Sequence, residues 1–512
     1  MNKTGIFCSV SLFSTVIVSC NEKRMLPNQP NIIYILADDL GYGDVSINYP
    51  QGKITTPHID RLASEGMRFT DAHAPSSVST PSRYGILTGN YGWRSRLAAG
   101  GMQGYGRSLL ESDKHTVASL LKEKGYTSAV IGKWHLGLDW QLKDGKQLSV
   151  DDLAPRFKTG NFVIELPNDI IDFSKPPQNG PLKFGFDYSY ILPASLDFEP
   201  YCYLRNDTLT APLTGFTEGN DLDTGFTGAF WRPGLIAEDF DFMDVLPNFT
   251  RQAVQFIQNR AKKEQPFFLY FPMPAPHTPW LPAEGFTGKS GAGSYGDFVI
   301  MTDHMAGQIL EAVKKAGIED NTVIILTSDN GPYWRTNEIE KYGHRSAGAH
   351  RGMKADAWDG GHRVPFIVKW PGQVKAGSVS NALTSLTNLM ATVADIAGID
   401  SGKLTCNDSY SILPVLLGKS KEVPNQKAIV HHSSRGHYAI RSGEWKLIQG
   451  KGSGGFSTTP REEALMDEEG QLYNLNDDPS ETTNLYATRK DVADNLSKLL
   501  EDIKISKRHE SQ

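Results

Sequence analysis

The run Asn31-Ile32-Ile33-Tyr34-Ile35-Leu36-Ala37 is short, apolar and unbroken, and it ends in the paired acids Asp38-Asp39. Without polar alternation, such a run reads as a strand covered on both faces of a parallel sheet. Working outward, similar runs recur at Thr127 to Gly132, Pro266 to Phe271 and Thr322 to Thr327, with a further strand at Pro365 to Lys369. Helical patterns separate them. Thr56 to Gly66 is opened by Thr-Pro and stopped by Gly, and Lys114 to Lys124 is amphipathic and closed by Gly125. Asn248 to Lys263 and about Val299 to Ala316 complete the set. This alternation predicts an α/β fold with a large mixed, mostly parallel sheet sandwiched by helices.

Length and composition bound the rest. A chain of 512 residues exceeds one small core, and 39% hydrophobic with 21% charged residues is the balance of a globular protein. The net charge of −6, with no basic run, excludes nucleic acid as an expected partner. Four cysteines do not make a disulfide framework, and the sequence leaves open whether Cys202 and Cys406 pair. Residues 1–20 read as a targeting segment, with Lys3 before the apolar run Ile6 to Val18, which is too short to span a bilayer. Its end, Ile17-Val18-Ser19-Cys20, resembles a bacterial lipobox with Cys20 as the lipidated residue; an ordinary cleaved signal is the alternative. Both predict export, to the bacterial periplasm or, as a lipoprotein, to the outer membrane or cell surface. A lipid anchor is then the only membrane contact.

Residues 21–30 read as a linker and 31–420 as a catalytic domain. Within the latter, about 138 to 235 lacks a clear period and is rich in Pro, Gly, Asp and aromatics, as loops with short strands lying over a site would be. Gly285 to Gly296 reads as a flexible tract. The character changes near 421. Ala428 to His432, Tyr438 to Arg441, Trp445 to Ile448 and Gln471 to Asp477 predict a small antiparallel sheet, interrupted by a Gly/Ser-rich loop over Gln449 to Thr459. With a terminal helix over Asp491 to Ile503, it makes 421–512 a C-terminal subdomain.

The strands of the large sheet end in groups that bind ions: Asp38 and Asp39, Lys133 and His135, His277, Asp329 and Asn330. That carboxyl edge is where open α/β sheets bind ligands. Asp and Asn are common in turns, but four chain-distant strands ending this way exceed turn chemistry. Asp38, Asp39, Asp329 and Asn330 offer only oxygen, which favours calcium over zinc; one aspartate capping a helix and one solvated is the competing reading. Arg83, Lys133, His135, His277 and Lys354 supply positive donors for an oxyanion. Taken singly, each is more often a surface lysine or a packed histidine. Ser79 precedes Thr80-Pro81-Ser82-Arg83. Pro81 biases Thr80 away from helix, which places Ser79 at a strand-like entry to a helix over Pro81 to Leu87. A hydroxyl at a helix N-terminus suits a nucleophile attacking an anion, and also suits a plain N-cap.

The eleven residues from Ser79 to Gly89 resemble the signature of the type I sulfatases, a family of the alkaline phosphatase superfamily. The likeness extends to Gly132-Lys133-Trp134-His135-Leu136-Gly137, Pro276-His277-Thr278-Pro279, Ser328-Asp329-Asn330-Gly331-Pro332 and Gly352-Met353-Lys354. It continues in Gly360-Gly361-His362-Arg363-Val364-Pro365, Trp445-Lys446-Leu447 and Tyr473-Asn474-Leu475. The resemblance implies an alkaline phosphatase-like fold and conversion of Ser79 to formylglycine by a formylglycine-generating maturase. It implies that the hydrate attacks sulfur to give a sulfated intermediate, with Arg83 and Lys133 holding the hydrate and His135 taking its proton. His277, the general acid, and Lys354 would contact the sulfate and leaving oxygen. One Ca²⁺ would be bound by Asp38, Asp39, Asp329, Asn330 and the Ser79-derived oxygen.

Ser at position 79 departs from the commoner Cys. Serine-type members occur in bacteria, and a Cys replaced by Ser would read the same. Gly180 to Asp187 and Ala194-Ser195-Leu196-Asp197 look like the N-acetylgalactosamine-6-sulfatase branch, implying a sulfated glycan with 6-O-sulfated galactose or N-acetylgalactosamine as substrate. Asp197, His362, Arg363, His432 and Arg435 are the expected sugar contacts. A phosphatase or phosphodiesterase using unmodified Ser79, and an inactive protein that binds sulfated glycan, are the competing readings.

Overall fold

A computed structural model describes residue 1 and residues 29–146, 166–467 and 469–506. Apart from residue 1, the segment read as an export signal, with Cys20, lies outside the described residues, as does part of the 138–235 stretch.

The opening run becomes the strand Asn31–Asp38, buried at every position. It pairs in parallel on both sides, with Thr322–Ser328 and with Phe267–Pro276. Thr127–Lys133 and Tyr188–Leu192 extend the parallel set beyond Phe267–Pro276. On the other side Phe366–Lys369 and Met67–Phe69 pair antiparallel, and Ser378–Ser380 closes that edge. Leu204–Arg205 and Thr208–Leu209 close the far edge of this ten-stranded sheet. One helix group, Pro57–Glu65, Val245–Arg260 and Gly293–Lys315, packs on it. A second group, Ser79–Thr88, Val117–Lys122 and Leu389–Ile396, packs together and onto Thr127–Lys133. The mixed, mostly parallel architecture is the expected one. Among the described residues, no helix is long and apolar enough to cross a membrane.

The C-terminal strands Ile429–His432, Tyr438–Ser442, Trp445–Ile448 and Gln471–Asn474 form the expected antiparallel sheet. Helix Lys490–Ile505 buries Ala493, Leu496 and Leu500 against its Val430, Ile440, Leu447 and Leu472. Tyr91 joins this cluster from the larger part of the chain, and its hydroxyl accepts the Val430 N–H at 2.9 Å.

Three local features differ from the sequence reading. The helix at Ser79 starts at Ser79 itself, and Val78, with φ −141° and ψ 153°, is the extended entry. Pro81 falls in the first turn, where its missing N–H has no partner to lose. The tract read as flexible is pinned: Asp297 accepts the Gly288 and Ser290 N–H groups at 2.7 Å each, and helix Gly293–Lys315 begins within it. Tyr188–Leu192, inside a stretch read as loops with short strands lying over a site, is instead a parallel strand of the main sheet. Cys202 is buried and free, so it makes no disulfide with Cys406.

Candidate active site

Adjacent acids would repel if they shared one environment, and the backbone separates them. The register of Asn31–Asp38 slips between Leu36 and Asp38, and Asp39 turns into the left-handed region at φ 65°. Such a conformation in a non-glycine residue persists only where the surroundings impose it. Asp38 Oδ2 accepts from Lys133 Nζ at 2.6 Å. Asp39 accepts from Lys354 Nζ at 2.9 Å and from Asn330 Nδ2 at 2.7 Å. The next strand brings Asp329, whose Oδ2 takes Arg83 Nε at 3.0 Å and Nη2 at 2.8 Å. Gly132, at φ 135°, lets the Lys133 strand approach its neighbour, because a Cβ there would lie 2.0 Å from the Pro272 carbonyl oxygen.

Ser79 stands in the middle. Its Oγ donates toward Asp38 Oδ1 at 3.2 Å and Asn330 Oδ1 at 3.3 Å, and Lys133 Nζ approaches it at 3.4 Å. Asp38, Asp329, Asn330, Arg83 and Lys133 are fully buried, and Ser79 is 4% exposed. Sequence reading brought these residues together, and the fold does so too.

Burial would push the Asp38 carboxyl up, but Lys133, His277, Arg83 and Lys354 outweigh it and hold Asp38 well below the usual range. Asp329 is raised, by burial and then by the Asp38 charge. Burial also lowers Lys133, whereas at Lys354 the burial cost is overcome by Asp39 and Asp38, and its ammonium is favoured. The carboxylates of Asp38, Asp39 and Asp329 are matched by the cations of Arg83, Lys133 and Lys354. A dication added to this neutral set would give it the positive charge that an oxyanion needs. The donor atoms, all oxygen and buried, fit a hard dication. His135, also left-handed at φ 55°, is held well below its usual range by burial and by the Lys133 and Arg83 charges, so it is neutral near pH 7. Its Nε2 donates to the Met102 carbonyl at 2.7 Å, which leaves Nδ1 as a buried acceptor with no partner.

His277 lies between two carboxylates, with Asp39 Oδ2 at 3.8 Å from Nε2 and Asp197 Oδ1 at 3.9 Å from Nδ1. Its Nδ1 bonds the Thr278 carbonyl at 2.5 Å, which turns Nε2 toward the site. Asp197 is therefore brought to the site as expected. Its Oδ2 takes Arg232 Nη1 at 2.5 Å, and its Oδ1 is buried without a partner. Two site residues escaped sequence reading. Ser195 contacts Lys133 Nζ and His277 Nδ1, each at 3.3 Å, and sat inside the quoted Ala194 to Asp197 phrase. Arg232 carries no local signal and arrives only through the fold.

The other expected sugar contacts are placed elsewhere. His362 is buried between His73 Nδ1 at 3.0 Å and Lys446 Nζ at 3.1 Å. Arg363 is spent on Asp71 at 2.7 Å and Asp359 at 2.8 Å. His432 is fully buried, and its carbonyl takes the Ser77 N–H at 3.1 Å. Arg435 ties a C-terminal loop through Glu463 at 2.6 Å and the Thr458 carbonyl at 2.9 Å. His73, Asp359 and His362 converge as a metal site would. Lys446 at 2.8 Å and Arg363 already satisfy Asp359, which makes a cation unwelcome there.

The sequence matches the Sulfatase family over residues 30–399, and the family described as N-sulphoglucosamine sulphohydrolase, C-terminal, over 353–506. It is 33% identical over 531 residues to an N-acetylgalactosamine-6-O-sulfatase of Bacteroides thetaiotaomicron, covering 96% of this chain and 97% of the relative. Against human arylsulfatase A it is 31% identical over 478 residues, 89% of this chain and 83% of that one. A solved Bacteroides thetaiotaomicron structure, described with the metabolism of multiple glycosaminoglycans, superposes with a TM-score of 0.79 at 31% identity, covering 94% of this chain and all of that one. Type I sulfatases use a formylglycine and a bound metal ion. With the fold and these full-length matches together, the chain belongs to the sulfatase family and is a sulfuric ester hydrolase.

Proposed function

We propose that this protein hydrolyses a sulfate ester on carbohydrate, most specifically the 6-O-sulfate of galactose or N-acetylgalactosamine in a sulfated glycan. The observation that carries the reading is Ser79 at the first turn of a buried helix, its hydroxyl bonded at once to Asp38, Asn330 and Lys133. A maturase would convert Ser79 to formylglycine, and Asp38, Asp39, Asp329, Asn330 and the Ser79-derived oxygen would hold one Ca²⁺. When present, the formylglycine hydrate supplies the attacking oxygen and calcium supplies Lewis-acid polarisation.

The chain's own groups do the rest. Arg83 fixes Asp329, and Lys133 holds the oxygen at position 79 while neutralising Asp38. His135, neutral with Nδ1 free to accept, takes the proton released at position 79. Lys354 holds the sulfate group. His277 protonates the leaving oxygen from Nε2, and Asp39 and Asp197 balance the charge that such an acid must carry. Asp197 Oδ1, buried and unpartnered, accepts a sugar hydroxyl, and the 33% identity to an enzyme named for N-acetylgalactosamine 6-O-sulfate supports a galacto sugar.

The same reading takes residues 31–420 as the catalytic domain and 421–512 as the C-terminal subdomain. Export through residues 1–20, with Cys20 lipidated, puts the enzyme where it meets glycans. The test is mass spectrometry of the peptide containing Ser79 from the native host. Loss of two hydrogens, or the hydrated aldehyde, is expected; intact serine throughout refutes the mechanism.

A further inference from the structure

Two aromatic rings stand exposed at the rim of the site: Phe226 at 49% and Phe456 at 43%. Phe226 holds φ 68°, a conformation that a bulky residue adopts only under constraint. The tip that carries it is braced. Thr224 Oγ1 bonds the Thr227 carbonyl at 2.7 Å, and Thr227 Oγ1 bonds the Thr224 carbonyl at 2.9 Å. Tyr333 donates its hydroxyl to the Gly225 carbonyl at 3.0 Å, and the Trp280 N–H reaches the Gly228 carbonyl at 2.7 Å. The Phe226 ring rests edge to face on the buried Phe230, centroids 5.1 Å apart, and about half of it stays exposed.

Tyr333 and Phe456 continue the same arc, their rings meeting edge to face with centroids 5.5 Å apart. The loop that carries Phe456 is seated on the Lys354 segment. Ser457 N–H donates to Asp356 at 3.0 Å, and a Cβ on Gly455 would lie 2.2 Å from the Ala355 carbonyl oxygen. The arc borders the reacting groups on its inner side. Thr278, next to His277, donates to the Gly228 carbonyl at 3.2 Å, and Lys354 N–H donates to the Pro332 carbonyl at 2.7 Å, next to Tyr333. The guanidinium groups beside the arc, Arg232 and Arg335, pair with Asp197 and Glu338 and lie over the Phe226 and Tyr333 rings at 5.1 and 5.9 Å, so each of those rings has one face covered and the other left for a ligand. The interior is thus charged and suited to a sulfate ester, while the rim offers aromatic faces and edges. A glycan presents the apolar C–H face of its next ring at that position, and such a face packs on aromatic rings.

We propose that Phe226, Tyr333 and Phe456 form a second sugar subsite, which takes the pyranose joined to the sulfated residue. The proposal rests on the carbohydrate reading above and adds that the enzyme prefers an oligosaccharide to a free sulfated sugar.

The experiment compares kcat/KM of matured, calcium-loaded enzyme on 6-sulfated N-acetylgalactosamine, alone and as the terminal residue of a disaccharide and a tetrasaccharide. The expected preference for the disaccharide over the monosaccharide is about tenfold, the scale of one or two aromatic contacts. Phe226→Ala and Phe456→Ala each cut that ratio several-fold, while Phe226→Tyr and Phe456→Tyr restore it. A ratio unmoved by either alanine, or equal losses on both substrates, overturns the subsite. Wild-type turnover of the monosaccharide without any preference overturns the subsite alone; no turnover of any sulfated sugar overturns the reading beneath it as well.

Discussion

Arg83 tests whether the site is held together by its own charges. The guanidinium is fully buried, donates twice to Asp329 Oδ2 and once to the Lys133 carbonyl at 3.0 Å, and lies 3.6 Å from Asp38 Oδ1. Arg83→Met strands Asp329 as a buried carboxylate without its bonded cation, a loss of about 3–5 kcal/mol. The Lys133 carbonyl loses a donor at a further cost of about 1–3 kcal/mol. Against a total stability of about 5–15 kcal/mol, that is a large fraction. Asp329→Asn added to Arg83→Met removes the stranded charge and recovers most of the first figure. Urea unfolding of the four proteins in chelator, where bound metal adds nothing to stability, gives the order. The double variant is expected to unfold at higher urea than Arg83→Met. If it instead unfolds below wild type by the sum of the two single losses, and so below Arg83→Met, the pair is not coupled and the charge argument fails.

Three further outcomes follow from particular groups. Chelation should abolish sulfatase activity, with calcium restoring it better than zinc; restoration by zinc alone, with a phosphate ester as the better substrate, would favour phosphatase chemistry. Burial pushes Asp303 up to about 7, so its folded form keeps a proton that the unfolded chain releases near pH 4. The stability it contributes is therefore complete below about pH 4 and is lost as pH rises through 7. Melting midpoints of wild type and Asp303→Asn should then differ progressively less in favour of wild type from pH 4 to pH 7; a constant difference contradicts the assignment. Asp197→Asn should lower kcat/KM on 6-sulfated galactose at least tenfold and shrink the preference over the glucose isomer. That preference has a ceiling of roughly 10⁴-fold when a site is built to bond one hydroxyl.

The central strands and the groups at their carboxyl ends were legible in the sequence because both signals are local. An unbroken apolar run has one main meaning in an α/β chain, and the residue that follows it emerges at the ligand edge. The Ser79 helix starts two residues before Pro81, since a proline reads as a helix opener wherever it falls in the first turn. Tyr188–Leu192 does not stand out among the short strands expected over the site, because Ser189 interrupts the apolar run that marks the other parallel strands. His362 and Arg363 were misread for a deeper reason. A polar phrase looks the same whether it faces a ligand or a buried ion network, and here it faces Asp71, His73, Asp359 and Lys446. Arg232 was invisible because only the hairpin between Gly215–Thr217 and Gly234–Ile236 carries it to Asp197.

Asp38 and Asp39 show how adjacent residues are made to serve one site without working against each other. The positive φ at Asp39 sends its carboxylate toward Lys354 and Asn330, while Asp38 stays on the strand and meets Lys133 from the neighbouring one. Asp329 in turn has Arg83. Each of these carboxylates, the proposed calcium ligands, thus has its own cation from a chain-distant element. The protein's own ion pairs fix the positions of all three carboxylates, and on the calcium reading these pairs, rather than the metal, are expected to gather the ligands. Chelated protein should accordingly keep its far-UV circular dichroism and unfold in a cooperative transition, with activity returning at once on adding calcium. Loss of cooperative unfolding in chelator would mean that the metal, and not these pairs, assembles the site.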